Sequence, residues 1–392
     1  MNISDKLSPA VKQIPPSGIR KFFDLVMAME GVISLGVGEP DFVTPWHIRE
    51  NTIYSLEKGM TSYTSNAGLY ELREAICQYT EERFSIKYSP EQEVMVTVGA
   101  SEAIDIALRT LVTPGDEVLV VEPSYVSYAP CATLAGAIPV SVPTYQKDDF
   151  KLMPDVLESK ITPKSKILMM CFPNNPTGAV MERCDLQKIA DIVKKHDLIV
   201  LSDEVYAELS YDKPHRSIAE LEGMKDRTIV FGGMSKSFAM TGWRIGYAMG
   251  HHEIIAAMLK IHQYTILCAP IMGQVAALEA LKNGYQEMQM MVEQYNRRRK
   301  LIVKGFQEMG LSCHTPKGAF YAFPNIEATG YTDYEFAEQL LKQTKVAVVP
   351  GSVFGQGGAG FIRCSYATSY AQISEAVDRI AQFVQTINKV KK

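Results

Sequence analysis

The sequence predicts an α/β protein: a large domain built on a mostly parallel sheet flanked by helices, followed by a smaller α+β domain. Three observations carry this expectation. Helical and extended patterns alternate as far as Gly284. Several extended stretches are continuously apolar rather than alternating, the pattern of strands buried on both faces. After Gly284 the alternation gives way to one long helical stretch and short strand-like pieces.

The elements follow in order. Residues 1–45 read as an arm, too short to bury its own apolar groups and expected to pack on the second domain. Residues 46–284 read as the large domain and 285–392 as the small one. Residues 67–84 carry Leu72, Ile76, Tyr79 and Phe84 at helical spacing. A β-rich run at 93–98, a helix at 100–111 and a strand at 117–121, closed by Pro123, come next. The apolar run 166–172 ends in the breaker cluster Pro173-Asn174-Asn175-Pro176-Thr177-Gly178. A helix at 185–196 sets Leu186, Ile189, Ala190 and Val193 on one face, and strands follow at 198–201, 228–231 and 243–249. Residues 285–309 read as one helix, with Arg297-Arg298-Arg299-Lys300 as a solvated basic face. Strand-like pieces at 319–323, 346–349 and 361–366 precede a terminal helix from Tyr370.

Composition narrows the functional classes. The chain has 392 residues, 46% of them hydrophobic and 21% charged, with a formal net charge of −4. No excess of cations exists to neutralise phosphates, so nucleic acid is not expected as a partner. Residues 1–12 lack the apolar core of a signal peptide, and no run of about 18 apolar residues exists to span a membrane. Seven scattered cysteines without a CxxC pair read as reduced thiols of a cytoplasmic protein, with Cys171 and Cys364 inside apolar segments. Seven histidines show no paired ligand spacing, so no metal is expected. His251-His252 reads as a helix start.

The polar motifs fall where ligands bind such sheets, at the carboxyl ends of strands. Gly99-Ala100-Ser101, Asn175, Asp203 and Ser235-Lys236 each follow a predicted strand. Lys236 is followed eight residues later by Arg244, across a turn containing Gly242. Taken alone this could be two surface cations. The alternative is a desolvated amine that forms an imine with an aldehyde, and a guanidinium that grips a phosphate. Gly99-Ala100-Ser101 opens a helix whose first free amides suit an anion, although any strand-to-helix turn favours such residues. Asp203 reads either as a helix N-cap or as a carboxylate that keeps a ring nitrogen protonated. Tyr206, three residues on, lies on the same side of a helical turn. Asn175 is a turn residue, or a donor to the same ring. Arg363 stands inside an apolar strand, where an unpaired guanidinium is costly; it reads as a structural ion pair or as a clamp for a substrate carboxylate. Gly355, Gly357 and Gly360 satisfy GxGxxG but precede a strand rather than a helix, so a dinucleotide site is set aside.

Together these residues resemble the class I aminotransferases of pyridoxal 5′-phosphate (PLP) fold type I. The resemblance runs from Gly36-Val37-Gly38-Glu39-Pro40-Asp41-Phe42 to Arg363. Asn175-Pro176-Thr177-Gly178, Ser202-Asp203-Glu204-Val205-Tyr206 and Ser235-Lys236, separated by five residues from Gly242-Trp243-Arg244-Ile245-Gly246, stand in the family's order and spacing. The branch it looks most like includes aromatic amino-acid aminotransferases and N-acetyl-diaminopimelate aminotransferase-like proteins. The resemblance implies PLP joined to Lys236, which would then shuttle a proton. It implies Asp203 on the pyridinium nitrogen, Asn175 and Tyr206 on the ring oxygen, and Tyr125 on the ring face. Arg244, Ala100 and Ser101 would hold the phosphate, with Ser235 helping and Gly99 giving the backbone room. Arg363, with Asn175 and the backbone of Gly38, would hold the substrate carboxylate. Tyr63 would reach the phosphate of a neighbouring subunit in a two-fold homodimer. Cis peptides before Pro176 and Pro123 are also implied.

Ser101 stands where some aspartate-specific relatives place a lysine, and Gly233 where some members carry a phosphate-binding serine. The expected reaction is amino transfer from an aromatic or neutral α-amino acid to an α-keto acid such as 2-oxoglutarate, with ping-pong kinetics. A carbon–sulfur β-lyase on the same scaffold is the nearest rival, disfavoured by the Gly-Trp-Arg arrangement. A PLP-sensing domain of a regulator would need an attached DNA-binding domain, for which the residues before the aminotransferase-like region leave no room.

Overall fold

A computed structural model describes residues 2–16 and 29–390. Seven strands form the central sheet: β2 (Val94–Thr97), β3 (Glu117–Glu122), β4 (Ile138–Pro143), β5 (Ser165–Cys171), β6 (Ile199–Asp203), β7 (Thr228–Gly233) and β8 (Gly246–Met249). Their order is β2-β8-β7-β6-β5-β3-β4; β8 runs antiparallel to both neighbours and every other pairing is parallel. The apolar runs are buried as expected: Leu119, Leu168, Val200 and Ile229 are among the residues sealed from solvent. Helices such as Gly99–Leu111 and Arg183–Lys195 cover the sheet, and Leu186, Ile189, Ala190 and Val193 are buried on the inner face of the second.

The parallel register lines up the functional strand ends. Cys171 pairs with Asp203, and Asp203 with Phe231, so the segments leaving β5, β6 and β7 emerge side by side. Lys236 follows on the short helix Met234–Ser237. The expected strand at 243–249 begins only at Gly246. Arg244 adopts a left-handed conformation, φ 55 and ψ 52, which ends a 3-10 turn and cannot lie in a strand. Strand β4 had no counterpart in the sequence reading. Its two prolines disguise it, and they are tolerated because it is the edge strand.

Beyond residue 284, the helix Tyr285–Glu308 packs on the helix Tyr370–Val390. Strands β9 (Tyr321–Ala322), β11 (Val349–Pro350) and β12 (Ile362–Ser365) make an antiparallel sheet in the order β11-β12-β9. Strand β1 (Ile33–Ser34) pairs in parallel with β10 (Val346–Ala347). Of the arm 1–45, residues 1 and 17–28 lie outside the described residues. The peptides before Pro123, Pro173 and Pro176 are cis. His251 accepts from the Glu253 N–H and so caps the helix His252–Thr265.

One expectation is overturned. Arg298 and Arg299 are not part of a solvated face but are buried, with only 7% and 5% of their surface exposed. Arg298 pairs with Asp41 at 2.7 Å and lies over the Phe42 and Tyr295 rings. Arg299 pairs with Asp212 at 3.0 Å, donates to Pro316 O and lies over Tyr211. The helix turns these two positions inward with Tyr295 and Ile302, while Arg297 and Lys300 stay exposed. Carboxylates from distant segments compensate them.

Candidate active site

A cavity of about 540 Å³ opens at the strand ends, walled by residues 36–39, the large sheet, and Tyr321 and Arg363 from β9 and β12. It brings together most of the residues singled out from the sequence: Gly38, Ala100, Ser101, Tyr125, Asn175, Asp203, Tyr206, Ser235, Lys236, Arg244 and Arg363. Gly99 lies just beneath the wall, and Tyr63 stands apart, 82% exposed.

At one end the backbone is shaped for an anion. The helix Gly99–Leu111 starts without a side-chain cap, so the amides of its first turn have no partner within the helix. Gly99 has φ +73, and a Cβ there would strike Arg244 Nη2 at 2.5 Å. A Cβ on Gly246 would strike Ala100 N at 2.4 Å. Two glycines therefore let the Arg244 guanidinium settle on the helix start, with Nη1 donating to Thr241 O at 2.9 Å. Helix dipole and guanidinium point the same charge at one place.

Deep in the cavity, Asp203 is buried. No helix follows it, so it is not an N-cap. Its Oδ1 accepts from Val205 N–H at 3.2 Å and its Oδ2 from the Tyr128 hydroxyl at 2.6 Å. Burial raises its pKa and the Tyr128 donation opposes that rise. Lys236 Nζ donates to Gly38 O at 2.6 Å. Burial pulls its ammonium down to about 8, with Arg363 and Arg244 adding to the effect and Glu39 opposing it. A lysine so placed is available as a neutral amine near physiological pH.

Arg363 donates to Asn175 Oδ1 at 3.0 Å and Gly36 O at 2.6 Å, between the Tyr321 and Phe354 rings. Its buried Nε has no hydrogen-bond partner, and no carboxylate pairs with it among the described residues. The structural ion pair entertained from the sequence is thus absent. With its oxygen taken by Arg363, Asn175 has its NH₂ left to donate.

Two hydroxyls went unread in the sequence. Tyr321 lies 2.7 Å from the Tyr206 hydroxyl, and Gly38 makes room for it, since a Cβ there would meet Tyr321 Oη at 2.4 Å. A phenol inside the apolar run 319–323 was the available sign. Tyr128 holds Asp203 and packs edge-on against Tyr125, three residues earlier at 5.6 Å. That spacing behind a strand end could have revealed it.

The family pattern described as Aminotransferase class I and II matches residues 30–380. The chain is 46% identical over 382 residues to aromatic-amino-acid aminotransferase 2 of Thermococcus litoralis, covering 97% of this chain and 98% of that protein. It is 47% identical over 388 residues to the aspartate aminotransferase of Pyrococcus abyssi, covering 98% and 99%. The crystal structure of the aromatic aminotransferase from Pyrococcus horikoshii OT3 superposes with a TM-score of 0.90 at 47% identity, covering 93% of this chain and 99% of that one. Likeness over nearly every residue, in sequence and in fold, makes this chain a member of the class I and II aminotransferase family, a PLP-dependent enzyme of fold type I.

Proposed function

We propose that transamination runs in this cavity, with Lys236 as the residue that carries the cofactor and moves the proton. One observation carries the reading. Lys236, Asp203, Arg244 and Arg363 line a single cavity, and none has an ion-pair partner among the described residues. Unpaired charges in a partly dry cavity call for a ligand of complementary charge. The cofactor fits that demand, with a phosphate at one end and a basic ring nitrogen at the other. When bound it supplies an aldehyde and an electron-accepting ring. Arg244 and the amides of Ala100 and Ser101 hold its phosphate, with Ser235 beside them. Asp203, fixed by Tyr128, keeps its ring nitrogen protonated. Asn175 and Tyr206 donate to its ring oxygen, and Tyr125 covers its face. Lys236 takes the proton from the substrate Cα as a general base. Arg363 meets the substrate carboxylate with its fork.

The same cations set the substrate class. Among the described residues, only Lys236, Arg244 and Arg363 bring positive charge to the cavity wall, and each has a task. Among those residues none remains for a second carboxylate, and Glu39 adds negative charge to the wall. We therefore assign an aromatic or neutral amino donor. The acceptor is an α-keto acid such as 2-oxoglutarate. The Thermococcus relative's name points the same way; that of the Pyrococcus abyssi relative does not. Assayed against 2-oxoglutarate, tyrosine or phenylalanine should exceed aspartate in kcat/KM by about tenfold, the scale on which one pocket contact discriminates. A preference for aspartate would reverse the assignment.

The working unit in this reading is a two-fold homodimer that carries Tyr63 to the neighbouring phosphate. Tyr63, Tyr264, Ile266 and Leu267 are exposed apolar groups, and Asn66 Nδ2 donates to Leu267 O at 2.7 Å, tying their two segments together. Sedimentation at a single-chain mass would remove this part. The division into an arm (1–45), a large domain (46–284) and a small domain (285–392) draws support from the pairing of β1 with β10. A cytoplasmic location draws support from seven cysteines without a disulfide.

A further inference from the structure

Next to Asp203 stands a carboxylate that the reading above leaves idle. Glu204 is buried, and its N–H donates to Phe231 O at 2.9 Å, which anchors it between β6 and β7. It does not line the main cavity. It lines a narrow space behind the Lys236 turn, against Gly233, Met234 and Ser237. Its Oε1 accepts from Ser202 Oγ at 2.8 Å and Ser217 Oγ at 2.6 Å, and its Oε2 lies 2.7 Å from His215 Nε2. The carboxylate is thus held at both oxygens by three groups that are themselves buried.

A buried carboxylate needs a compensating charge. The buried acid Glu208 gets it from Arg83 at 2.8 Å. Glu204 has no lysine or arginine partner among the described residues; His215 is its one titratable partner. One imidazole proton therefore decides whether the pair is neutral or carries a net negative charge beside Asp203. The His215 ring packs its edge on Phe84 at 5.5 Å and reaches the wall of a second cavity of about 470 Å³. The other charged or titratable groups around the pair are Tyr79, Glu208 and Tyr247 on the inner side, Tyr88 and Cys171, and Glu182, Arg183, Asp212, Lys213, Arg216 and Lys317 along the second cavity. The field of Glu204 is felt nearby: after burial, it is the largest influence raising the Tyr88 and Tyr247 phenols.

We propose that Glu204 is a positioning residue for Asp203: Ser202, Ser217 and His215 fix its carboxylate, and the His215 proton sets the charge it presents behind Asp203. The proposal rests on the role given to Asp203 above. A negative charge behind Asp203 favours a proton on whatever Asp203 touches, and a charged His215 offsets it.

The test uses the holoenzyme and follows the visible band of its bound cofactor against pH. Glutamine keeps hydrogen-bonding capacity while removing charge. Glu204→Gln should lower the midpoint of the spectral transition by roughly half a pH unit, as loss of a nearby negative charge requires. His215→Gln should move it the opposite way, whereas purely structural damage would move both alike. An unmoved midpoint in either variant, or shifts of the same sign, overturns the proposal. Should Glu204→Gln fail to fold, His215→Gln decides alone by the same criterion. Asp203→Asn separates the two readings: if its band is that of the unaltered protein, the role of Asp203 itself is what fails.

Discussion

Replacing Lys236 by alanine is expected to lower kcat about 10⁴-fold, the upper range for losing a positioned general base, and to erase the visible band of the attached cofactor. Among the described residues the amine has no ion pair to maintain, and its one hydrogen bond there runs to Gly38 O, so the fold should survive. Lys236→Arg should be equally inactive. It keeps the positive charge but cannot become a neutral nucleophile. The same chemistry gives a pH dependence. Burial holds the folded ammonium near 8, below the ordinary lysine value, so the reactive neutral form grows as pH rises toward 8. The initial rate at which cofactor-free protein captures PLP should climb about tenfold per pH unit below 8 and level off above it. Activity in Lys236→Ala, or a flat capture rate, would remove the amine from the chemistry.

Arg363→Met should separate function from stability. We expect kcat/KM to fall about 10³-fold, since two charge-assisted hydrogen bonds to the substrate carboxylate are worth about 1.5–3 kcal/mol each. The melting temperature of the cofactor-free protein should hold or rise. Arg363 is buried with an orphan Nε and no carboxylate partner among the described residues, and burial pushes its pKa down. Such a cation costs stability, and an apolar side chain of similar length relieves that cost. A variant that unfolds readily yet turns over normally would make Arg363 a structural residue.

The sequence by itself determined most strands of the sheet and the positions at its carboxyl end. Strands covered on both faces must be apolar throughout, so β5, β6 and β7 read directly. The polar residues at or just beyond their ends (Asn175, Asp203 and Lys236) stand out because each follows a continuous apolar run. Motif order then named the family. Tertiary structure alone decided the counter-charges. Arg298 looked solvated until Asp41, 257 residues away in the chain, met it. Arg363 looked as ready for an ion pair as for a substrate, and no acid among the described residues meets it. Tyr128, Tyr321 and His215 gained their roles from partners brought near by folding. Local pattern records what a residue must avoid, namely water or its absence. Which charge it meets is a matter of distance in space, and chain order does not encode that distance.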